Sequence, residues 1–297
     1  MKGAPKPSDE TAGMLLGFLG VAAFSLTLPV TRMVVEHFSP LFVGVGRAFV
    51  AGLAALVYVI CTRESVPPRR YFVPLLVVSG GIVFGFPLLS AWAMVYVPAS
   101  HGAVMLGILP LATAIACAVL ARERPSLKFW AAGGVGTAAV LSFALLRSDG
   151  RVHPADLALL GAVAAAAVGY AEGARLSRTL GGWRVICWAL ILSLPLLALP
   201  TAWEIARLDF SVPASTWLGF LYLSLVSQFL GFFFWYRGLS LGGIARVSQV
   251  QLLQIFLTLF ASAWLLNESV DATTIFFAVF VVGTVAVSRR MPVHRAA

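Results

Sequence analysis

The sequence predicts an all-α integral membrane protein of ten transmembrane helices, arranged as two inverted five-helix repeats with both termini in the cytoplasm. Three observations predict it. Hydrophobic residues fill 60% of the 297 positions and charged residues only 11%, with a mean hydropathy of +0.93; soluble domains carry about 25% charged residues. The apolar residues fall into ten runs long enough to cross a bilayer. Finally, Ser100–Glu123 lies over Ala245–Glu268 without a gap. Both copies are apolar runs ending in Glu, and each is followed by a span with a Gly-Thr pair, Gly136-Thr137 and Gly283-Thr284. Two copies of five spans each must sit in opposite orientations across the membrane.

In chain order, residues 1–11 carry two prolines and mixed charge and read as a cytoplasmic tail. The first span, 12–31, follows Lys2 and Lys6 as a signal peptide would, but it is long for a signal core and the repeat needs it, so it reads as a retained helix. Span two, 41–61, opens after Ser39-Pro40; span three, 72–95, follows Val66-Pro67-Pro68. Span four is 99–121, and span five, 127–146, follows Pro125-Ser126. Ser148-Asp149-Gly150 separates the first repeat, 12–146, from the second, 155–289. The second repeat holds spans 155–175, 184–203, 216–236, 246–266 and 272–289, with Gly181-Gly182 and Ser211-Val212-Pro213 among its separators. Residues 290–297 form a second cytoplasmic tail. No linker is long enough for a soluble domain, and the two-residue alternation of a membrane β-barrel is absent.

Orientation follows from counting Lys and Arg on each side. With the N-terminus inside, the inner segments hold 16 basic residues and the outer segments four: Arg32, Arg147, Arg151 and Arg207. The net charge of +9 sits between apolar runs rather than on one amphipathic face, which excludes nucleic acid as the partner. Cys61, Cys117 and Cys187 lie in or at the end of apolar runs and imply no disulfide framework. Only three of the 21 basic residues are Lys and Ala is abundant, a composition that points to a bacterial source and so to the cell inner (plasma) membrane.

Polar groups inside spans need partners or a wet cavity. Gln251, Gln254, Thr258 and Ser262 recur at spacings of three and four and share one helical face, with Gln249 at the same end. An amide donates to a carboxylate and accepts from an ammonium, so this face suits a zwitterion; hydrogen bonding between helices is the other reading. Ser224, Ser227, Gln228, Gly231 and Trp235 repeat the pattern in span eight. Thr27 and Thr31 flank Pro29; Ser90 and Trp92 follow Pro87, and Tyr96 ends that span. Pro87 and Pro110, deep in their spans, are expected to kink helices and free carbonyls. Trp130, Trp183, Trp203 and Trp217 mark span ends and read as interfacial belt, whereas Trp92, Trp188, Tyr170 and Phe232–Tyr236 are available to an aromatic substrate. Arg47 lies six residues into span two, roughly 9 Å deep, where it either meets a substrate carboxylate or serves structure. Glu172 and Arg175, three residues apart, read as a local ion pair, and Glu123 and Glu268 as anchors at opposite faces.

Several runs carry a resemblance. Ala121–Ser126 (ARERPS) and Leu265–Ser269 (LLNES) resemble the "LGE" endings of the drug/metabolite transporter superfamily, and more narrowly of its EamA-type ten-helix exporters. Leu41–Phe49 is similar to that family's second-helix motif around an arginine, and Trp235–Leu239 to its eighth-helix ending. The amino-acid exporters of the YddG type are the branch the chain most resembles. It departs from the pattern at Phe24-Ser25, where the family has Trp-Gly, and at Asn267, where Gly is common. The resemblance implies inverted repeats alternating between two sides of the membrane, the construction of secondary transporters.

Three function classes are weighed. An exporter of small amphipathic metabolites, large apolar or aromatic amino acids foremost, suits the neutral polar faces. An enzyme or metal protein calls for clustered His, Cys or carboxylates, but His37, His101, His153 and His294 are scattered, so no enzyme, cofactor or metal is expected. A proton-coupled multidrug exporter, or one for nucleosides or sugars, is the alternative; a cationic drug calls for an embedded carboxylate. His101 and Asp156 read as outer helix ends and Glu172 as peripheral, so facilitated export down the solute gradient is expected. The partners expected are a small-molecule substrate and the lipid bilayer, with a monomer as the unit.

Overall fold

The computed structural model describes residues 7–120, 123–125, 127–147, 153–242, 247–289 and 293–295. Among these residues the apolar runs are helical, and seven helices are long and apolar enough to cross a membrane. They are α1 (Pro7–Ser25 continued by Thr27–Val34), α2 (Pro40–Cys61), α3 (Arg69–Ala93), α4 (Ala99–Leu106 and Leu109–Leu120), α6 (Pro154–Leu180), α7 (Gly182–Ile205) and α8 (Ala214–Leu239). Three further helices, α5 (Leu127–Arg147), α9 (Ser248–Leu253 and Gln254–Leu266) and α10 (Ala272–Arg289), carry shorter apolar stretches, Gly134–Arg147, Val250–Leu266 and Ala272–Val287.

Local chemistry sets the helix ends. Ser39 caps α2, its hydroxyl accepting from the Phe42 N–H at 3.0 Å, with Pro40 in the first turn. His153 caps α6 through Nδ1, which accepts from the Ala155 N–H, while Asp156 accepts from the His153 N–H in return. Gly181, at φ 89°, ends α6 and opens α7. Asn267 closes α9 in the left-handed region at φ 53°, a conformation Asn tolerates nearly as well as the Gly it replaces.

Two expectations at the chain ends change. Helix α1 begins at Pro7, inside the segment read as tail. Glu123–Pro125 (β1) pairs antiparallel with Val293–Arg295 (β2), Glu123 opposite Arg295, so the second tail meets the α4–α5 turn. The side chain of Glu123 lies outside the described residues.

Packing brings early helices against late ones. α1 runs along α8, α2 along α7, α3 along α6 and α5 along α10, while the second piece of α4 lies on α6. The α3–α6 contact is close enough that a Cβ built on Gly81 would stand 2.3 Å from the Ala165 carbonyl oxygen.

Five of these helices are interrupted at mid-length. In α1 the α-pattern breaks at Leu26, and Pro29 has no N–H for the Ser25 carbonyl. In α4 a turn at Gly107-Ile108 precedes Pro110, which likewise cannot bond the Leu106 carbonyl. α3 and α8 pass through π-helical stretches at Ser79–Gly85 and Tyr222–Leu230. α9, expected as one regular helix, starts instead as the 3-10 turn Ser248–Leu253. All five breaks face one cavity.

Candidate substrate cavity

The cavity is open at one side, and its empty space, open mouth included, is about 770 Å³. Phe24, Thr27 and Leu28 reach it from the α1 break, Leu106, Gly107 and Pro110 from the α4 break, and Ile82 and Phe86 from the π-helical part of α3. Ser227, Gln228 and Phe232 come from α8, Tyr170 from α6, and Gln251, Gln254 and Thr258 from α9. Among the described residues no Asp or Glu lines it.

One wall is aromatic. Phe24 and Phe232 stand with ring centroids 4.8 Å apart, and Tyr170 meets Phe232 edge-on at 5.8 Å. Trp235 backs this wall, 6.5 Å from Phe24 and 6.4 Å from Tyr170. The opposite features are polar. Thr27 and Ser227 share a hydroxyl–hydroxyl hydrogen bond of 2.8 Å between α1 and α8.

Arg47, 2% exposed, is the one charged side chain in the cavity wall among the described residues. Its Nε and Nη2 donate to Gln228 Oε1 at 3.2 and 2.8 Å, and Gln228 Nε2 donates to the Ile82 carbonyl oxygen at 3.0 Å. Arg47 Nη1, Gln251 Nε2 and Gln254 Oε1 are buried without a hydrogen-bond partner among the described residues. Two donors and one acceptor are therefore left for something that enters the cavity.

Of the residues singled out in the sequence, Thr27, Arg47, Tyr170, Gln228, Gln251, Gln254 and Thr258 line the cavity together. The backbone of Gln249 lies in the 3-10 turn, and its side chain is outside the described residues. The others lie elsewhere, each for a physical reason. Ser90 returns its hydroxyl to the Phe86 carbonyl of its own helix at 2.6 Å. Trp92 and Tyr96 pack ring against ring at a 55° tilt, centroids 4.9 Å apart, around the exposed end of α3, 38% and 54% accessible. Thr31 and Trp188 are buried off the cavity, and Trp235 stands behind its aromatic wall rather than in it. Phe24, Ile82, Phe86 and Ala103 were not singled out. Phe24 alone carried a signal, since it occupies the position where the resembled family has Trp.

Outside the cavity, Glu172 and Arg175 form the local pair expected, Nε to Oε2 at 2.8 Å. Glu268 accepts from the Ala99 and Ser100 N–H groups at 2.8 Å each, joining the end of α9 to the start of α4. His101 and Asp156 stand in the first turns of α4 and α6, at helix ends as expected. Although each sits near a helix end, they are 6% and 1% exposed and bonded to each other, Nε2 to Oδ1 at 2.7 Å. The α4–α6 contact and the His101 ring against Phe143 shield them from water.

The EamA-like transporter family model matches residues 11–145 and again residues 153–290. The chain belongs to the EamA-like transporter family. It is a multi-pass membrane transporter, not an enzyme. It is 43% identical over 289 residues to an uncharacterized transporter, YdeK, of Bacillus subtilis (strain 168), covering 95% of this chain and 99% of that one. The fold is shared with a protein of known crystal structure at 20% identity, with a TM-score of 0.61 over 94% of this chain and 96% of that one. The cavity therefore lies inside a transporter, between helices from both matched stretches.

Proposed function

We propose that this EamA-like transporter exports small amphipathic metabolites bearing a carboxylate, large apolar and aromatic amino acids foremost, across a bacterial inner membrane by alternating access. One observation carries the reading: among the described residues Arg47 Nη1 is buried and unpartnered, in a cavity with an aromatic wall and no acidic side chain. A buried cation without a counter-charge is costly until an anion arrives. Arg47 Nη1 and Gln251 Nε2 offer donors to a carboxylate, Gln254 Oε1 offers an acceptor to an amino group, and Phe24, Phe232 and Tyr170 receive the apolar part. The missing carboxylate counts against a cationic drug as substrate.

In this reading the ten helices cross the membrane as two inverted repeats, α1–α5 and α6–α10, with cytoplasmic ends and a single chain as the working unit. The double match of the family model supports it. So does the pairing of helices. Exchanging the halves turns the α1–α8 contact into α6–α3, leaves α2–α7 and α5–α10 unchanged, and turns α4–α6 into α9–α1; each of these contacts is present.

The test is efflux from proteoliposomes loaded with labelled L-phenylalanine, expected to be saturable and lost in Arg47→Met. Efflux of nucleosides or sugars with none of phenylalanine refutes the substrate assignment. The solute gradient supplies the drive in this reading, so efflux persists when an imposed pH gradient is collapsed. The buried His101–Asp156 pair favours a second reading, in which a proton moves in exchange. In that case collapsing the pH gradient abolishes transport, and Asp156→Asn makes efflux indifferent to the gradient.

A further inference from the structure

Gln228 is fully buried on the π-helical stretch of α8, and the protein itself occupies both ends of its amide. The reason lies in α3. The Phe86 N–H bonds the Gly81 carbonyl, five residues back, as a π-helix requires. Continuing that pattern, the Ile82 carbonyl would pair with residue 87, which is Pro87 and has no N–H. The carbonyl is left without a helical partner inside the protein, and Gln228 Nε2 takes it at 3.0 Å. A carbonyl only accepts, so this bond fixes which end of the amide is which. Oε1 must then face Arg47, where it receives Nε and Nη2. The nitrogen left over is Nη1, buried and unpartnered.

We infer that Gln228 is a positioning residue: it aims the Arg47 guanidinium into the cavity without neutralising it, and so makes the site selective for organic carboxylates over uncharged ligands of the same shape. The inference rests on the proposal that Arg47 receives the substrate carboxylate. A glutamate at 228 would hold the same fork of nitrogens and cancel its charge. A methionine would keep the volume and leave the guanidinium unheld. Pro87 belongs to the same chain of causes, because it frees the carbonyl that orients Gln228.

The experiment measures binding of 3-phenylpropionate and of the isosteric 3-phenylpropionamide to the purified full-length protein in detergent, by calorimetry at neutral pH. Wild type is expected to prefer the carboxylate by about tenfold or more, the scale of one charge-assisted hydrogen bond. In Gln228→Glu the two affinities converge to within about twofold. In Gln228→Met the carboxylate weakens about tenfold while the amide is unchanged, since only the aimed charge is lost. A residue that merely supported packing would weaken both ligands alike and leave their ratio intact. Wild-type preference that survives in whichever variants elute monodisperse overturns the inference while leaving the carboxylate reading standing. Equal binding of both probes by wild type, or binding of neither, overturns the carboxylate reading and the inference with it.

Discussion

Glu268 gives the sharpest test of how the fold is held, because its geometry is simple. Its carboxylate lies just past α9, half-buried, and each oxygen accepts one backbone N–H of the first turn of α4 at 2.8 Å. Those N–H groups have no partner within a helix, and Ala99 and Ser100 are 0% and 7% exposed, so water does not replace a lost acceptor. In Glu268→Gln one oxygen becomes an NH2 group that faces a donor, and the favourable charge at the helix N-terminus disappears. One charge-assisted bond contributes about 1.5–3 kcal/mol and the helix-end charge about 0.3–1 kcal/mol. Partial exposure places the sum near the lower end, about 2–3 kcal/mol. For a chain of this size that lowers Tm by roughly 4–10 °C. The assay is thermal unfolding of the detergent-purified protein followed by tryptophan fluorescence. Glu36→Gln, at an exposed position, serves as control and should shift Tm by less than about 1 °C. A Glu268→Gln protein that melts with the control refutes the argument that this carboxylate ties α9 to α4.

Arg47→Lys keeps the charge but replaces a fork by a point, so Gln228 no longer receives two nitrogens; phenylalanine efflux should fall about tenfold or more with the protein still folded, as initial rates from proteoliposomes will show. Gly81→Ala forces a Cβ to 2.3 Å from the Ala165 carbonyl oxygen; α3 must part from α6, and the yield of monodisperse protein on size exclusion should drop sharply. Asp271 caps α10 by accepting from the Thr274 N–H at 2.9 Å. That bond first, then the Thr274 hydroxyl and Arg147, hold its carboxyl below the usual value of 3.8. A carboxyl whose pKa is lower folded than unfolded stabilises the protein above the unfolded value and loses that contribution as pH falls through the folded one. Tm should therefore fall on acidification below about pH 4 less steeply in Asp271→Asn than in wild type.

The seven long apolar helices were legible because a bilayer imposes a simple rule on sequence: about 20 apolar residues between punctuated turns. Pro87 and Pro110 also announced their breaks, since a missing N–H acts locally. What the sequence could not show was pairing at a distance. Arg47 and Gln228 are 181 residues apart, and nothing near either names the other. Each looked like a substrate ligand alone; together, one is the charge and the other holds it. His101 and Asp156, 55 residues apart, read only as helix ends, because position along a single helix does not show what packs across it. Ser90, Thr31 and Trp188 were named for being polar or aromatic within a span. Ser90 is satisfied by its own helix, Thr31 and Trp188 are buried off the cavity, and sequence carries no sign of which face turns inward.

The cavity is made by irregular backbone as much as by side chains. The register that lays Ser100 on Ala245 carries Ser79–Gly85 onto Ser224–Leu230, inside the other π-helical stretch, and carries Ile108 onto Leu253, the last residue of the 3-10 turn. Two of the three breaks in α1–α5, those of α3 and α4, thus fall at places matching the breaks of α8 and α9, while the α1 break has no counterpart in α6; the side chains there differ too, Pro110 standing opposite Ile255 and Leu109 opposite Gln254. A prolyl ring breaks α4, and α9 reaches the same local departure without one. What recurs is the position of the break, and backbone at membrane depth departs from regular helix only where protein or a water-filled cavity satisfies it. What recurs in this register is therefore the break in the helices, whereas the polar groups that line the cavity, Arg47 on α2 and Gln228, Gln251 and Gln254 on α8 and α9, do not recur in it.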